Sequence, residues 1–324
     1  MSRPLGVMGV SALALMMAAC GGSEEPAPDA TPTETPTSEA SETATPEATE
    51  TMEVSGLDAA IAGEWRSEDA KARDAFRNPK ETLEFFEIEP TDTVAEIWPG
   101  GGWYASILAP YLKDEGTYIA VGFDADSSDY AARASENFQT NFVDQPDIYG
   151  DIVVAELSPE TGPIAEENSI DTILTFRNVH NWMSGGYTEK VFADMYAALK
   201  PGGILGVVEH RLPSGSEQDP SASSGYVHED FVKQLASEAG FVFVADSDIN
   251  ANPADTADHP FGVWTLPPTS RTTDRDGNMP EGFDAAKYEA IGESDRMTLK
   301  FRKPTAEEIA AAEAEAASEE PEEE

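Results

Sequence analysis

Residues 93–103 read Thr-Val-Ala-Glu-Ile-Trp-Pro-Gly-Gly-Gly-Trp, a short apolar run that turns into a proline and three glycines. The run at 93–98 predicts a buried strand, and the apolar spacing of 103–112 predicts a helix directly after it. Glycines in such a turn let the backbone approach a ligand closely, and the first turn of a helix offers free amide groups. The stretch therefore predicts a ligand-binding loop at Gly100, Gly101 and Gly102, with Glu96 inside the strand before it.

Strand-like and helix-like runs alternate along the rest of the chain. Predicted strands cover residues 117–123, 151–155, 170–176, 204–209, 241–245 and 296–302, and predicted helices cover 188–199 and 229–239. This alternation specifies a parallel sheet with crossover helices. The last two strands follow each other without a helix and are joined by a long loop. The sequence does not decide whether this loop closes over a ligand.

A turn segment and a helical N-terminal segment complete the predicted domain. Pro-Gly-Gly at 201–203 predicts a stop between the helix at 188–199 and the strand at 204–209. Upstream, residues 57–86 carry helical apolar spacing, which Pro79 divides into two helices. We expect these helices to cover the sheet or the mouth of the ligand site.

An acidic residue ends the second predicted strand. Asp124 follows the apolar run 118–123 and lies about 20 residues after the glycines, a spacing at which a carboxylate can accept both ribose hydroxyl protons. Asp126 is the alternative. A turn aspartate that caps the following helix would look the same in sequence.

Polar residues follow the predicted strand at 170–176. Arg177, Asn178 and His180 lie at its carboxyl end, where open α/β sheets bind their ligands. His180 can act as a general base near neutral pH, and Arg177 and Asn178 can hold a carboxylate or amide. We expect His210 and Arg211, after the strand at 204–209, to face the same rim. A capping and packing role for the cluster is the alternative.

The histidines and the cysteine form no metal-binding pattern in the sequence. The chain has four histidines and one cysteine, and neither His228 nor His259 has a partner at zinc-ligand spacing. We therefore predict no metal site.

The two ends differ in composition from the middle of the chain. Residues 1–20 carry Arg3, an apolar stretch and then Ala-Ala-Cys-Gly, which is typical of a secretory signal and resembles the bacterial lipobox. That resemblance implies a diacylglycerol group on Cys20, and Gly21 after it points to the outer membrane. Residues 21–55 have the composition of a disordered tether, and the Ala/Glu-rich tail at 304–324 that of a solvated helix or disordered segment.

Acidic residues dominate the chain, whose formal net charge is −42. Residues 22–55 and 304–324 hold nine carboxylates each and no Lys or Arg, so residues 56–303 keep 44 acids against 19 bases once Arg3 is set aside, a charge of −25. Such a field repels phosphate backbones, so we expect no nucleic-acid partner.

The motifs together resemble the class I S-adenosylmethionine-dependent methyltransferases. In that superfamily an acid, an apolar residue and Gly-x-Gly-x-Gly wrap around the amino-acid end of the cofactor. Glu96 matches the acid, and Gly100 and Gly102 match the second and third glycines, while Trp98 stands where the first is usual. A group of bacterial predicted methyltransferases with export signals shares further runs, namely 85–86, 98–104, 177–178, 208–211, 293–296 and 300–301.

The resemblance implies a Rossmann-like fold with a mostly parallel seven-stranded sheet, an antiparallel last strand and helices on both faces. It implies S-adenosylmethionine as cofactor, with a small-molecule or peptide acceptor. The cofactor would contact Glu96, Gly100, Gly101, Gly102 and Asp124.

The competing hypothesis is a catalytically inactive envelope lipoprotein that uses the same fold as a binding module, since S-adenosylmethionine is made in the cytoplasm. In both hypotheses the protein lies on the periplasmic side of the cell envelope. Its membrane contact is the lipid anchor alone.

Overall fold

The computed structural model describes residues 56–319. The predicted signal at 1–20 with Cys20, the predicted tether at 21–55 and residues 320–324 lie outside the described residues. Most of the predicted tail forms a helix, Ala306–Glu319. None of the helices within 56–319 is both long and apolar enough to cross a membrane.

A seven-stranded sheet organises the described residues. Its strands are β1 Thr93–Ile97, β2 Thr117–Phe123, β3 Val153–Leu157, β4 Ile170–Phe176, β5 Leu199–His210, β6 Val242–Ser247 and β8 Arg296–Arg302, and the short strand β7 Pro260–Val263 lies outside it. The order across the sheet is β3-β2-β1-β4-β5-β8-β6. The strands from β3 to β5 pair in parallel, and β8 runs antiparallel to both β5 and β6. This confirms the predicted Rossmann-like sheet and its antiparallel last strand.

Helices cover both faces of the sheet. They are α1 Gly56–Ala62, α2 Glu68–Ala72, α3 Asp74–Arg77, α4 Pro79–Phe85, α5 Ala105–Leu112, α6 Asp129–Phe138, α7 Pro146–Tyr149, α8 Val179–Gly185, α9 Thr188–Ala198, α10 Glu229–Glu238, α11 Ala285–Glu289 and α12 Ala306–Glu319. Buried apolar residues of α8, α9 and α10 pack on one face, and those of α1, α4 and α5 pack on the other.

Alternation along β1 divides its side chains between the two faces. Val94 joins the apolar cluster on the face of α5, whereas Ala95 and Ile97 join the cluster on the face of α8. Because successive side chains of a strand point to opposite faces, Glu96 lies on the same face as Val94. It is therefore an acid among apolar neighbours.

The segment before β1 differs from its prediction. Instead of two helices divided at Pro79, the structure has four short ones, α1 to α4. Ser67 begins α2 by accepting a hydrogen bond from the Ala70 amide, and Asn78 takes a left-handed φ of 40° before Pro79 begins α4. Local capping and turn residues thus break this helical segment at more places than Pro79 alone.

Two other expectations need correction. Pro-Gly-Gly at 201–203 is no stop before a strand, because β5 begins at Leu199 and the Gly202 amide donates to the Lys303 carbonyl. The long connection between β6 and β8 holds β7 and α11, so it is not an irregular loop throughout. Asn250 anchors its start by donating to the hydroxyls of Thr82 and Thr298.

Candidate active site

The strand order reverses between β1 and β4, and a cavity of about 690 Å³ opens at the carboxyl ends of these strands. Open α/β sheets bind ligands at such a reversal. The cavity is lined by both sets of predicted residues, the glycine loop after β1 and the polar cluster after β4.

The glycine loop has the backbone that its sequence predicts. Gly100 and Gly102 take left-handed φ values of 58° and 75°. A Cβ at Gly102 would lie 2.1 Å from the Phe142 ring, whereas one at Gly101 would meet no atom within 4 Å. The loop is therefore closely packed at Gly102 and open toward the cavity at Gly101.

Glu96 is a buried acid at the floor of the cavity, with 2% of its surface exposed. The Tyr118 hydroxyl donates to its Oε2 at 2.6 Å. Burial raises the pKa of Glu96 to about 7, opposed by the Tyr118 hydrogen bond and by the charges of Arg177 and Arg77. The side chain thus changes its charge near neutral pH.

Trp98, which stands where the resemblance expects a glycine, has a left-handed backbone. Its φ is 50°, a left-handed value that costs a non-glycine residue about 1–2 kcal/mol. The indole lies against the Phe123 ring at 4.5 Å between centroids and donates to the Leu157 carbonyl at 3.2 Å. The ring thus spans the carboxyl ends of β1, β2 and β3.

Asp124 follows β2, as predicted, and is not among the residues that line the cavity of the glycine loop. Its carboxylate accepts hydrogen bonds from the Asp126 amide at 3.0 Å and the Ser158 hydroxyl at 3.3 Å. The capping role is therefore present. Contact of Asp124 with a ribose stays a prediction, and Asp126 is exposed nearby.

The residues after β4 do line the cavity, each in a different way. Asn178 donates its amide to the Ile97 carbonyl at 2.9 Å and the Thr175 hydroxyl at 3.2 Å, and so ties the end of β4 to the end of β1. Arg177 takes a left-handed φ of 63°. Its backbone amide donates to Val208 at 2.7 Å.

His180 lies in the first turn of α8 and is 6% exposed. Its Nδ1 is 3.0 Å from Oε1 of Glu209, at the end of β5. The Glu209 side chain is fully buried and also accepts the His210 amide at 2.8 Å. The structure thus brings His180 to the same cavity as the glycine loop, and its catalytic role stays a prediction.

The neighbours of His180 correct the expectation for Arg211, whereas the expectation of no metal site stays a prediction. His210 lines the cavity, but Arg211 does not, because it pairs with Asp248 and Asp295 instead. The fold also brings possible metal ligands of His180, Glu209 and His210 within 4.8 Å of one another. This set was not predicted, because His180 lies 29 positions before Glu209 and its neighbour His210, a separation without a recognisable metal-ligand spacing.

Several further residues of the site were missed as functional candidates. Arg73 and Arg77 line the cavity, and Glu293 and Arg296 lie directly behind them, at 3.2 Å from each other. The runs 208–211 and 293–296 carried part of the family resemblance, which was the one available signal for Glu209, Glu293 and Arg296.

No family model and no curated protein matches this chain. Solved structures with similar folds include an S-adenosylmethionine-dependent methyltransferase from Aquifex aeolicus, at 16% identity over 55% of this chain and 87% of that one, with a TM-score of 0.44. The [4+2]-cyclase SpnF matches at 15% identity over 75% of this chain and 85% of that one, with a TM-score of 0.48. An arsenic(III) methyltransferase from Chlamydomonas reinhardtii matches at 14% identity over 78% and 74%, with a TM-score of 0.41.

Similarity at this level carries no statement about the reaction or substrate of this chain. The strand order and the antiparallel β8 define the fold on their own evidence, as the Rossmann-like fold of class I methyltransferases.

Proposed function

We propose that the protein is an S-adenosylmethionine-dependent methyltransferase that acts on a small-molecule or peptide acceptor. The observation that carries this proposal is one cavity, at the reversal of the strand order, that joins the glycine loop and Glu96 to His180. The loop supplies a place for the cofactor, and the histidine supplies a group that can remove a proton from an acceptor.

The residues around the loop fit the amino-acid end of the cofactor. Gly101 leaves open space where a side chain would stand, so the backbone can approach a ligand closely. Glu96 offers a carboxylate at the floor of the cavity toward an ammonium group. When bound, S-adenosylmethionine would supply an electrophilic methyl group at its sulfonium.

His180 and Glu209 support proton removal from the acceptor. A carboxylate can only accept a hydrogen bond, so an ionised Glu209 requires the proton of the neutral His180 ring to be on Nδ1. The Nε2 atom then carries the free lone pair and can take a proton. Glu209 acts as a positioning residue for His180, and Asn178 keeps the ends of β1 and β4 in register.

Calorimetric titration of the protein with S-adenosylmethionine and S-adenosylhomocysteine tests this proposal. We expect saturable one-to-one binding of both compounds. The absence of binding to protein with an intact fold would reject it.

The second candidate is the binding module without catalysis, and Trp98 is the observation that favours it. The indole ring lies on Phe123 and is hydrogen-bonded to Leu157. It thus covers the ends of β2 and β3, on the side where Asp124 would contact a nucleoside. The same titration separates the two candidates, because a binding module of this kind would give no heat with either compound.

We also propose that the chain is exported and anchored through a lipid on Cys20, on the periplasmic side of the cell envelope. The signal-like composition of residues 1–20 and the Ala-Ala-Cys-Gly sequence support this.

A further inference from the structure

The cavity beside the glycine loop is rich in arginine, although the chain carries a formal charge of −42. The charged residues that line it are Arg66, Arg73, Arg77, Arg177, Asp69 and Glu96. The overall composition is strongly acidic and does not explain why positively charged side chains gather around this cavity.

Arg66 is neutralised within the protein. Its two terminal nitrogens bind the Asp74 carboxylate at 2.9 and 2.6 Å, and its guanidinium lies 5.1 Å from the Trp103 ring centroid. Arg66 therefore does not contribute the unbalanced charge.

Glu293 is the carboxylate that the other arginines share. The shortest nitrogen–oxygen distances to it are 2.7 Å from Arg73, 3.0 Å from Arg77, 3.2 Å from Arg296 and 3.8 Å from Arg177. Only 4% of the Glu293 surface is exposed. One carboxylate cannot balance four guanidinium groups, and the removal of such charges from water is costly without a partner.

Arg177 and Arg73 have donor groups left over. The 3.8 Å approach of Arg177 to Glu293 is too long for a hydrogen bond. Within residues 56–319 its guanidinium has no hydrogen bond to another residue, and it lines the cavity with 24% of the side chain exposed. Nη2 of Arg73 is buried and has no partner among the described residues.

The same positive charge opposes a metal ion at His180, Glu209 and His210. The guanidinium groups of Arg177, Arg296 and Arg77 all act on His210 with positive charge, and like charges repel a divalent cation. The free donors of this cavity therefore favour an anion.

We propose that Arg73, Arg77 and Arg177 form a subsite for an oxyanion, a carboxylate or phosphate, carried by the molecule that the cavity binds. Planar guanidinium groups offer paired donors that match both anions. The proposed function enters at one point, where it identifies the bound molecule as the methyl acceptor. The anion site itself does not require S-adenosylmethionine.

The test titrates the protein with acetate and, separately, with inorganic phosphate, following the Nε–H signals of ¹⁵N-labelled arginine by NMR. We compare the wild type with Arg177→Asn, since asparagine tolerates the left-handed backbone of this position, and with Arg73→Gln as a second variant. The exposed Arg133→Gln on α6 is the charge-matched control. Each titration is repeated with saturating S-adenosylhomocysteine, whose own carboxylate could occupy the arginines.

We expect at least one anion to bind with and without S-adenosylhomocysteine, about tenfold or more weakly in both subsite variants, and unchanged in Arg133→Gln. Preference for acetate or phosphate identifies the anion. No binding to the wild type, or equal binding to all variants, overturns the subsite. Anion binding that disappears with S-adenosylhomocysteine, with weaker binding of that compound to Arg177→Asn, assigns the arginines to the cofactor and also overturns it. If S-adenosylhomocysteine fails to bind, the proposed function fails, and the anion titrations alone decide the subsite.

Discussion

Nδ1 of His180 lies 3.0 Å from Oε1 of Glu209, and both side chains are buried at the carboxyl ends of neighbouring parallel strands. His180 follows β4, whereas Glu209 lies near the end of β5. The pair forms because Phe176 on β4 is in register with Val208 on β5, so that the residues that follow these two along the chain lie close together.

The first prediction concerns the catalytic role of His180. We expect His180→Ala to lower turnover far more than cofactor affinity, because a base acts on the acceptor and not on the sulfonium. Glu209→Gln should lower kcat and shift the pH profile of turnover, while leaving the KM for the cofactor nearly unchanged. Steady-state kinetics with calorimetry measures both.

Phe192→Leu, in the apolar cluster on the face of α8, serves as the control for a purely structural loss. Equal losses of turnover and affinity in His180→Ala, or a lower Tm alone, would return His180 to a packing role.

The second prediction concerns Trp98. We expect Trp98→Gly to tighten the binding of S-adenosylhomocysteine about tenfold, since the ring over Phe123 and Leu157 is removed and a glycine takes the left-handed backbone without strain. Trp98→Phe keeps a ring but loses the bond to Leu157, so it separates the ring from the hydrogen bond. Calorimetry measures the affinities. Weaker binding in Trp98→Gly would show that the ring is part of the cofactor site.

The third prediction concerns Asp124. We expect Asp124→Ala to weaken S-adenosylmethionine binding by about ten- to a hundredfold, because a charge-assisted contact is lost. Asp124→Asn keeps an acceptor for the Asp126 amide while it removes the charge, so it controls for the loss of the turn. Unchanged affinity in both variants, with the fold intact, would place the ribose acid elsewhere, with Asp126 as the next residue to test.

The fourth prediction concerns Cys20. We expect mass analysis of the protein from membranes of a bacterial host to find a diacylglycerol-modified N-terminus at Cys20. Cys20→Ser should abolish the modification. A soluble product cut at any other position would end this hypothesis.

The seven strands of the sheet were predictable from apolar residues in short runs bounded by turn residues, although β5 begins five residues before its predicted start and the short β7 was missed. The prediction of residues 296–302 for the last strand agrees with β8 at both ends, and the glycine loop takes the left-handed conformations that its composition requires. These features depend on neighbours in sequence, which a single chain displays directly.

The charge pairs of the site were not predictable in this way. Arg77 and Glu293 are separated by 216 positions, and His180 and Glu209 by 29. Their contacts depend on strand register and on how the connection between β6 and β8 returns to α3, which no local pattern encodes. For the same reason the direction of the Trp98 ring, toward β2 and β3, could not be read from its place in the loop.

The fifth prediction uses the pKa of Glu96, which burial raises from 4.5 to about 7. Because the fold favours the protonated form, this contribution to stability is full below pH 4.5 and is lost as the pH rises through about 7. The rise from 4.5 to about 7 corresponds to about 3.5 kcal/mol at most, at about 1.4 kcal/mol per pKa unit. Glu96→Gln cannot ionise, so we expect it to gain stability over the wild type between pH 5 and pH 8.

Urea unfolding of both proteins at pH 5 and pH 8 measures this gain. The free energy of unfolding of the wild type is subtracted from that of Glu96→Gln at each pH, and the two results are compared, so that the contributions of the other titrating groups cancel. Tyr118→Phe is the matched variant, because it removes the hydroxyl that donates to Glu96. Since that hydrogen bond lowers the pKa of Glu96, its loss should raise the pKa further, so that the loss of stability that begins near pH 4.5 continues to a higher pH. A stability difference between Glu96→Gln and wild type that does not change with pH would mean that Glu96 does not titrate in this range. Glu96 would then carry the same charge from pH 5 to pH 8. In that case the open space at Gly101 would be the remaining feature that distinguishes a ligand-binding loop from a purely structural turn.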